Sequence, residues 1–142
     1  MSDFVLDPRL EQDSRFIADL PLCQVRLMND ARYAWVLLIP RRQDTVEVFD
    51  LDDSDQSQLW REATGLGQAL KQQVAGDKLN LATLGNVVSQ LHVHVVVRKR
   101  GDDAWPGPIW GHGQARPYHS EVMSETLERL QTMIASLRSS LE

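Results

Sequence analysis

Gln90-Leu91-His92-Val93-His94-Val95-Val96-Val97 combines a strand pattern with the only close pair of histidines in the chain. Side chains alternate across a strand with period two, so Gln90, His92 and His94 share one face while Leu91, Val93 and Val95 share the other. The second face is a core face. An imidazole nitrogen buried without a partner costs about 1–3 kcal/mol, so the first face must either use its ring nitrogens or satisfy them.

Working outward, residues 79–84 read as a strand and Gly85-Asn86 as a turn, which places the histidines on a hairpin with a strand over residues 89–97. Before it, Leu59, Ala63, Leu66, Leu70 and Val74 recur at helical spacing. Asp50, Asp52, Asp53 and Asp55 precede that run and Gly76 follows it as a stop, completing a long-helix signature. Gly65 and Gly67 weaken the helix but suit close approach to a sheet. Residues 22–28 and 33–39 form a further hairpin about Asn29-Asp30, the second strand being a nearly continuous apolar run that ends at Pro40. Residues 45–49 alternate and are expected as a third strand or an extended lead into the helix.

At the start, Asp7-Pro8 opens a short helix to about Asp13, with Asp as cap and Pro at the first helical position. After Arg100, glycines and prolines make residues 101–113 a loop carrying Trp105 and Trp110. Leu127, Leu130, Ile134, Leu137 and Leu141 mark an amphipathic C-terminal helix beginning at Ser120 or Ser124. Strands, helix, strands, helix argue an α+β fold: an antiparallel sheet of about five strands, a long helix between strands and a C-terminal helix. No repeat or linker divides residues 1–142, which are expected as one domain.

A net charge of −5, with Arg41-Arg42 and Arg98-Lys99-Arg100 as the only dense basic spots, disfavours polymeric nucleic acid as a partner. The single cysteine, Cys23, excludes an internal disulfide, and no apolar run suits a membrane span or signal-peptide core, so the cytoplasm is the default expectation.

Two imidazoles two residues apart allow metal ligation, nucleophilic or acid–base work, or simple hydrogen bonding to neighbours. A metal would need a third ligand, and neither His112, His119 nor Cys23 stands at ligand-like spacing from His92. His112 and His119 read as solvent-facing, and Met28, Met123 and Met133 as packing. Trp105 and Trp110 either cover a bound group or anchor their loop on the core.

Residues 89–100, preceded by Gly85-Asn86 and followed by Gly101-Asp102 and a Trp-Pro loop, resemble the signature strand of the histidine triad family, in which three histidines alternate with apolar residues. The likeness extends from about Leu22 to Arg100 through an apolar strand ending in Ile39-Pro40-Arg41, a long helix and the hairpin. It implies nucleotidyl transfer or hydrolysis at an α-phosphate, on a phosphoramidate or dinucleoside polyphosphate. Carried over by position, His92 is the middle histidine, which attacks phosphorus and forms a nucleotidyl-histidine intermediate; His94 contacts the phosphate and helps the leaving group. A neutral imidazole is a competent nucleophile near pH 7, so the roles suit the residues.

Two positions depart from the family pattern. Gln90, expected as a third catalytic residue, stands in place of the first histidine of the triad, where its amide can hydrogen-bond but not titrate. Trp35 stands where the family has a further histidine upstream. The resemblance also implies a ribose contact, for which Asn29 is the candidate, with the alternative that Asn29 is only a turn residue. Asn86, and less so Asn80, are candidates to reach phosphate or ribose, each with the alternative of a strand end or turn; Ser89 is a further nucleotide-binding candidate, and backbone N–H groups of residues 87–89 are candidates for oxyanion stabilisation. No metal is required for such chemistry, although Mg²⁺ on a polyphosphate leaving group is compatible with it. Many members pair as two-fold dimers, so a homodimer is expected. Gln90 and Trp35 motivate a rival expectation, a nucleotide-binding module with little or no turnover, and a third is a purely structural or interaction role.

Overall fold

A computed structural model describes residues 4–142. Helix α1 (Pro8–Asp13) begins where the Asp7 carboxylate accepts the Arg9 N–H at 2.8 Å, with proline at the first turn. It runs directly into β1 (Ser14–Asp19), a strand the sequence pattern does not reveal. Phe16, Ile17 and Ala18 are consecutive apolar residues, and the pairing of β1 shifts between Phe16 and Ala18. That irregularity breaks the period-two alternation by which a strand is recognised.

β2 (Cys23–Met28) and β3 (Ala34–Pro40) form the expected hairpin. Residues 45–49 do not form a strand. The Asp50 carboxylate accepts the backbone N–H groups of Val46 and Glu47 at 3.1 and 2.9 Å, removing the donors a ladder would need, and Val48–Asp50 curls into a 3₁₀ turn. Helix α2 (Asp53–Gln73) follows, capped by the Asp52 carboxylate on the Asp55 N–H at 2.8 Å. Its end uses Ala75, not glycine, at positive φ, whereas Gly76 is needed for space: a Cβ there would lie 2.0 Å from Val97 Cγ1. Gly67 likewise lets α2 press against Leu79, 2.6 Å from where its Cβ would stand.

β4 (Lys78–Ala82) and β5 (Val93–Arg98) complete an antiparallel sheet in the order β1-β2-β3-β5-β4, and α3 (Ser120–Leu141) closes the chain. Ser120 is the first residue of α3 and His119 its cap position, while Ser124 lies within the helix. The fold is therefore α+β, as the order of elements implies. The histidine strand is shorter than its pattern suggests: β5 starts at Val93, and residues 83–92 form a longer connection than a tight hairpin turn. In that connection the Leu91 N–H bonds the Thr45 carbonyl at 2.9 Å in place of a strand partner.

The sheet is covered on both faces, which explains the unbroken apolar run of the central strand β3. Val25, Val36, Leu38, Val93 and Val95 pack against Leu59, Leu66 and Leu70 of α2 and Leu130 and Ile134 of α3. On the opposite face, Trp35, Leu37, Ile39 and Val96 meet Leu10 of α1 and Ala104 and Ile109 of the loop before α3. Buried Glu62 ties α2 to the sheet by accepting the Leu22 and Cys23 N–H groups at 2.8 and 2.9 Å. Burial and the neighbouring Glu62 carboxylate push the Cys23 thiol well above its ordinary range, so it is an inert core residue. Among the described residues no helix is long and apolar enough to cross a membrane.

Candidate active site

The period-two alternation survives at the point where it matters. Leu91, Val93 and Val95 enter the helix-covered core, while His92 and His94 turn to the loop-covered face with ring centroids 4.9 Å apart, edge to face. Both are nearly buried, at 5% and 4% exposure. They line a cavity of about 770 Å³, within the range of small-molecule sites, between α1, the β2–β3 turn, residues 84–88 and the loop before α3.

The hydrogen bonds of the two rings assign their tautomers. His92 Nδ1 lies 2.7 Å from the Gln90 carbonyl, an acceptor only, so Nδ1 carries the proton and Nε2 the lone pair. Among the described residues Nε2 has no hydrogen-bond partner. His94 is held from both sides: its Nε2–H donates to the Leu84 carbonyl at 3.0 Å, and its Nδ1 accepts the Trp35 Nε1–H at 3.1 Å. Burial lowers its pKa to about 4, the Leu84 bond opposing and the His92 charge assisting. Near neutral pH His94 is thus a neutral, doubly anchored ring. Trp110 closes the far side of that ring, edge on, with centroids 5.3 Å apart.

The β2–β3 turn and the loop before α3 are clasped together at one end of the cavity. Asp30, 1% exposed, receives the Arg32 guanidinium through Nε and Nη2, together with the Arg32 and Arg116 N–H groups. Burial alone would raise the Asp30 carboxyl; these donors outweigh it and hold it below the usual range. Arg32 Nη1 also donates to the His112 carbonyl at 2.7 Å. Asn29 belongs to this clasp: its Oδ1 accepts the Tyr118 N–H at 2.9 Å, just before α3, while the residue lines the cavity.

The other candidate residues separate. Asn86 lines the cavity at its exposed side, whereas exposed Ser89 does not line it and borders instead a smaller neighbouring hollow shared with Gly85, Asn86 and His92. The Gln90 side chain turns from the rings, its Oε1 accepting the Asp7 N–H and its Nε2 donating to the Val5 carbonyl, both at 2.8 Å. Asn80 is committed to Arg98 at 3.1 Å. That buried guanidinium pairs with Asp102 through two bonds of 2.8 Å and lies 5.5 Å from the Trp105 ring centroid, so Trp105 anchors its loop. His112 and His119 are exposed, His112 at the cavity rim. Among the described residues no three His, Cys, Asp or Glu side chains are grouped to hold a metal ion.

Arg9, Leu10 and Arg32 also line the cavity, and nothing in their local sequence marks them; Arg9 and His92 border one cavity only because α1 folds across the sheet. Gly85 is required here by crowding. A Cβ would stand 2.8 Å from the Val88 carbonyl oxygen and 3.6 Å from His92 Cε1, so the loop wraps the His92 ring closely.

Comparison with known proteins agrees with this arrangement. The family model for the HIT domain matches residues 9–101. A histidine triad protein from Sinorhizobium meliloti 1021 is 45% identical, with a TM-score of 0.89 over 92% of this chain and 96% of its own. A histidine triad protein from Bradyrhizobium japonicum is 44% identical, with a TM-score of 0.89 over 92% of this chain and 98% of its own. One from Marinobacter aquaeolei VT8 is 40% identical, with a TM-score of 0.92 over 94% and 98%. No curated protein matches the chain. With a family match across most of its length and solved relatives at this identity, the chain belongs to the HIT domain, or histidine triad, family.

Proposed function

We propose that this protein binds a nucleoside phosphate derivative and breaks a bond at its α-phosphorus, with His92 as the nucleophile. The observation that carries the reading is the His92 tautomer. Nδ1–H is fixed on the Gln90 carbonyl, which leaves the Nε2 lone pair unengaged in a cavity of nucleotide size. In the first step Nε2 attacks phosphorus, an N–P bond forms, and the leaving group departs with its bonding electrons. Water then attacks the same phosphorus, the N–P bond breaks, and nucleoside monophosphate is released with His92 regenerated. The Gln90 carbonyl stabilises the imidazolium-like charge that Nδ1–H carries in the intermediate.

His94 acts differently in this proposal from the leaving-group role carried over from the family. Both its nitrogens are engaged, so it serves as a neutral wall that orients the His92 ring and donates to phosphate only by sharing the Nε2–H now on Leu84. Asn86 and the backbone of residues 86–88 receive the phosphate, and Asn29 contributes its remaining amide N–H to the nucleoside. Polyphosphate substrates arrive with or without Mg²⁺, which is not needed for the N–P step. Two-fold pairing, part of the same proposal, would use the β4 edge, which has no neighbouring strand among the described residues, and exposed Trp60 of α2.

The locked His94 ring also supports a second reading, a nucleotide binder without turnover, because no titrating ring stands ready to protonate a poor leaving group. Release of AMP or GMP from nucleoside phosphoramidates and dinucleoside polyphosphates separates the two. Turnover that His92→Asn abolishes while nucleotide binding persists supports the covalent mechanism. Binding without turnover in the wild type supports the binder, and turnover that survives in His92→Asn removes His92 from the chemistry.

A further inference from the structure

The wall of the cavity formed by the N-terminal segment is built with unusual care for so short a stretch. Gln90 grips residues 5 and 7 through two side-chain hydrogen bonds of 2.8 Å. At the other end Arg26 of β2, 7% exposed, donates Nε to Ser14 Oγ at 2.6 Å, and Nη2 to the Ser14 and Glu11 carbonyls at 3.0 and 3.3 Å. Ser14 Oγ in turn donates to the Leu10 carbonyl, and Leu10 is buried against the sheet. Between these anchors Arg9 projects along the cavity, with Nη1 on the Val87 carbonyl at 3.2 Å.

Charge singles out Arg9. The arginines lining the cavity are Arg9 and Arg32. Arg32 is 7% exposed and spent on Asp30 and the His112 carbonyl. The Arg9 side chain is 60% exposed, and its carboxylate neighbour, Asp7, stands 3.9 Å away at Nε, too far for a hydrogen bond. Its guanidinium therefore keeps donors and charge available to a ligand. Position supplies the rest: His92, Trp35 and His94 are buried and form the floor, while exposed Arg9, Asn86 and Val87 form the mouth. In-line displacement by His92 Nε2 sends the leaving group away from the floor, toward that mouth.

We infer that Arg9 is a specificity-determining residue that binds an anionic leaving group, so that the substrate class is nucleotides bearing a further phosphate beyond the α-phosphate. Gln90 and Arg26 are the positioning residues that present Arg9 there. The inference rests on the reading of His92 as the nucleophile. Arginine suits the task because its planar fork of donors matches phosphate oxygens.

The test compares wild type, Arg9→Gln and Arg9→Lys on two substrates with the same nucleoside monophosphate: diadenosine triphosphate, and an AMP phosphoramidate whose leaving amine carries no negative charge. Arg9→Gln should lower kcat/KM for the triphosphate by about tenfold or more, and that for the phosphoramidate by about threefold or less, with Arg9→Lys recovering part of the loss. Equal losses on both substrates, or none, would overturn the inference and make Arg9 a tether for Val87 alone. His92→Asn, assayed alongside, reports on the nucleophile separately. In a protein that shows no turnover, the preference for ADP over AMP in equilibrium binding decides: loss of that preference in Arg9→Gln supports the phosphate contact, and an unchanged ratio refutes it.

Discussion

Acid should destabilise this protein through a single ring, and the size of the effect follows from how His94 is buried. In the unfolded chain the ring takes up a proton near its ordinary value of 6.5; in the folded chain burial holds it to about 4 against the opposing Leu84 carbonyl, and the Trp35 indole N–H occupies the nitrogen a second proton would need. Between those values the unfolded state binds more protons than the folded state. Stability therefore rises with pH, is fully present above about pH 6.5, and is lost as pH falls toward 4. Each pH unit inside the window is worth about 1.4 kcal/mol, so acidification from about pH 7 to about pH 4.5 removes about 2.5 kcal/mol. The carboxylates held low, Asp30 and Asp102, titrate below 3.8 and contribute only in stronger acid. Urea unfolding followed by tryptophan fluorescence reads the loss as a fall in midpoint of roughly 1–2 M. The control is His94→Gln, whose amide can accept from Trp35 and donate to Leu84 but cannot titrate. The other three histidines are common to both proteins, so the difference between the two pH profiles isolates ring 94. Midpoints that fall in parallel for wild type and variant would refute the assignment of His94 as a buried neutral ring.

Removing the indole donor with Trp35→Phe leaves His94 Nδ1 without its 3.1 Å partner; thermal unfolding should show a loss of about 1–3 kcal/mol, and the NMR titration midpoint of His94 should rise, an unchanged midpoint arguing that Trp35 does not fix the tautomer. Asp102→Ala strands the Arg98 guanidinium, 2% exposed, with Asn80 as its remaining polar side-chain partner among the described residues. That should cost about 3–5 kcal/mol in urea unfolding, and a loss near zero would mean water replaces the carboxylate. Gly85→Ala drives a Cβ to 2.8 Å from the Val88 carbonyl oxygen and shifts the loop against His92. Turnover should fall on the order of tenfold with the unfolding midpoint nearly unchanged; full activity would show that the loop adjusts without disturbing the ring.

Period and composition made much of the fold legible. The helical spacing of Leu59, Ala63, Leu66 and Leu70 and the apolar run of β3 report burial directly, because one stripe or both faces of each element must be covered. Elements whose backbone donors are claimed by side chains were not legible. Residues 45–49 alternate like a strand, yet Asp50 takes the N–H groups of Val46 and Glu47. β1 is hidden by its register shift at Phe16 to Ala18.

At the site, period-two alternation anticipated that His92 and His94 would share a face, which holds although β5 begins only at Val93, and the family resemblance picked out Gln90 and Trp35 as the unusual neighbours. What those neighbours do was decided by tertiary structure. Gln90 lies two residues from His92, yet its side chain answers to Val5 and Asp7, 85 and 83 positions away. Trp35 meets His94 because β3 pairs with β5. Tautomers, pKa values and the charge left open on Arg9 depend on which distant carbonyl, indole or carboxylate comes within about 3 Å, a separation no local pattern encodes and only the closed fold sets.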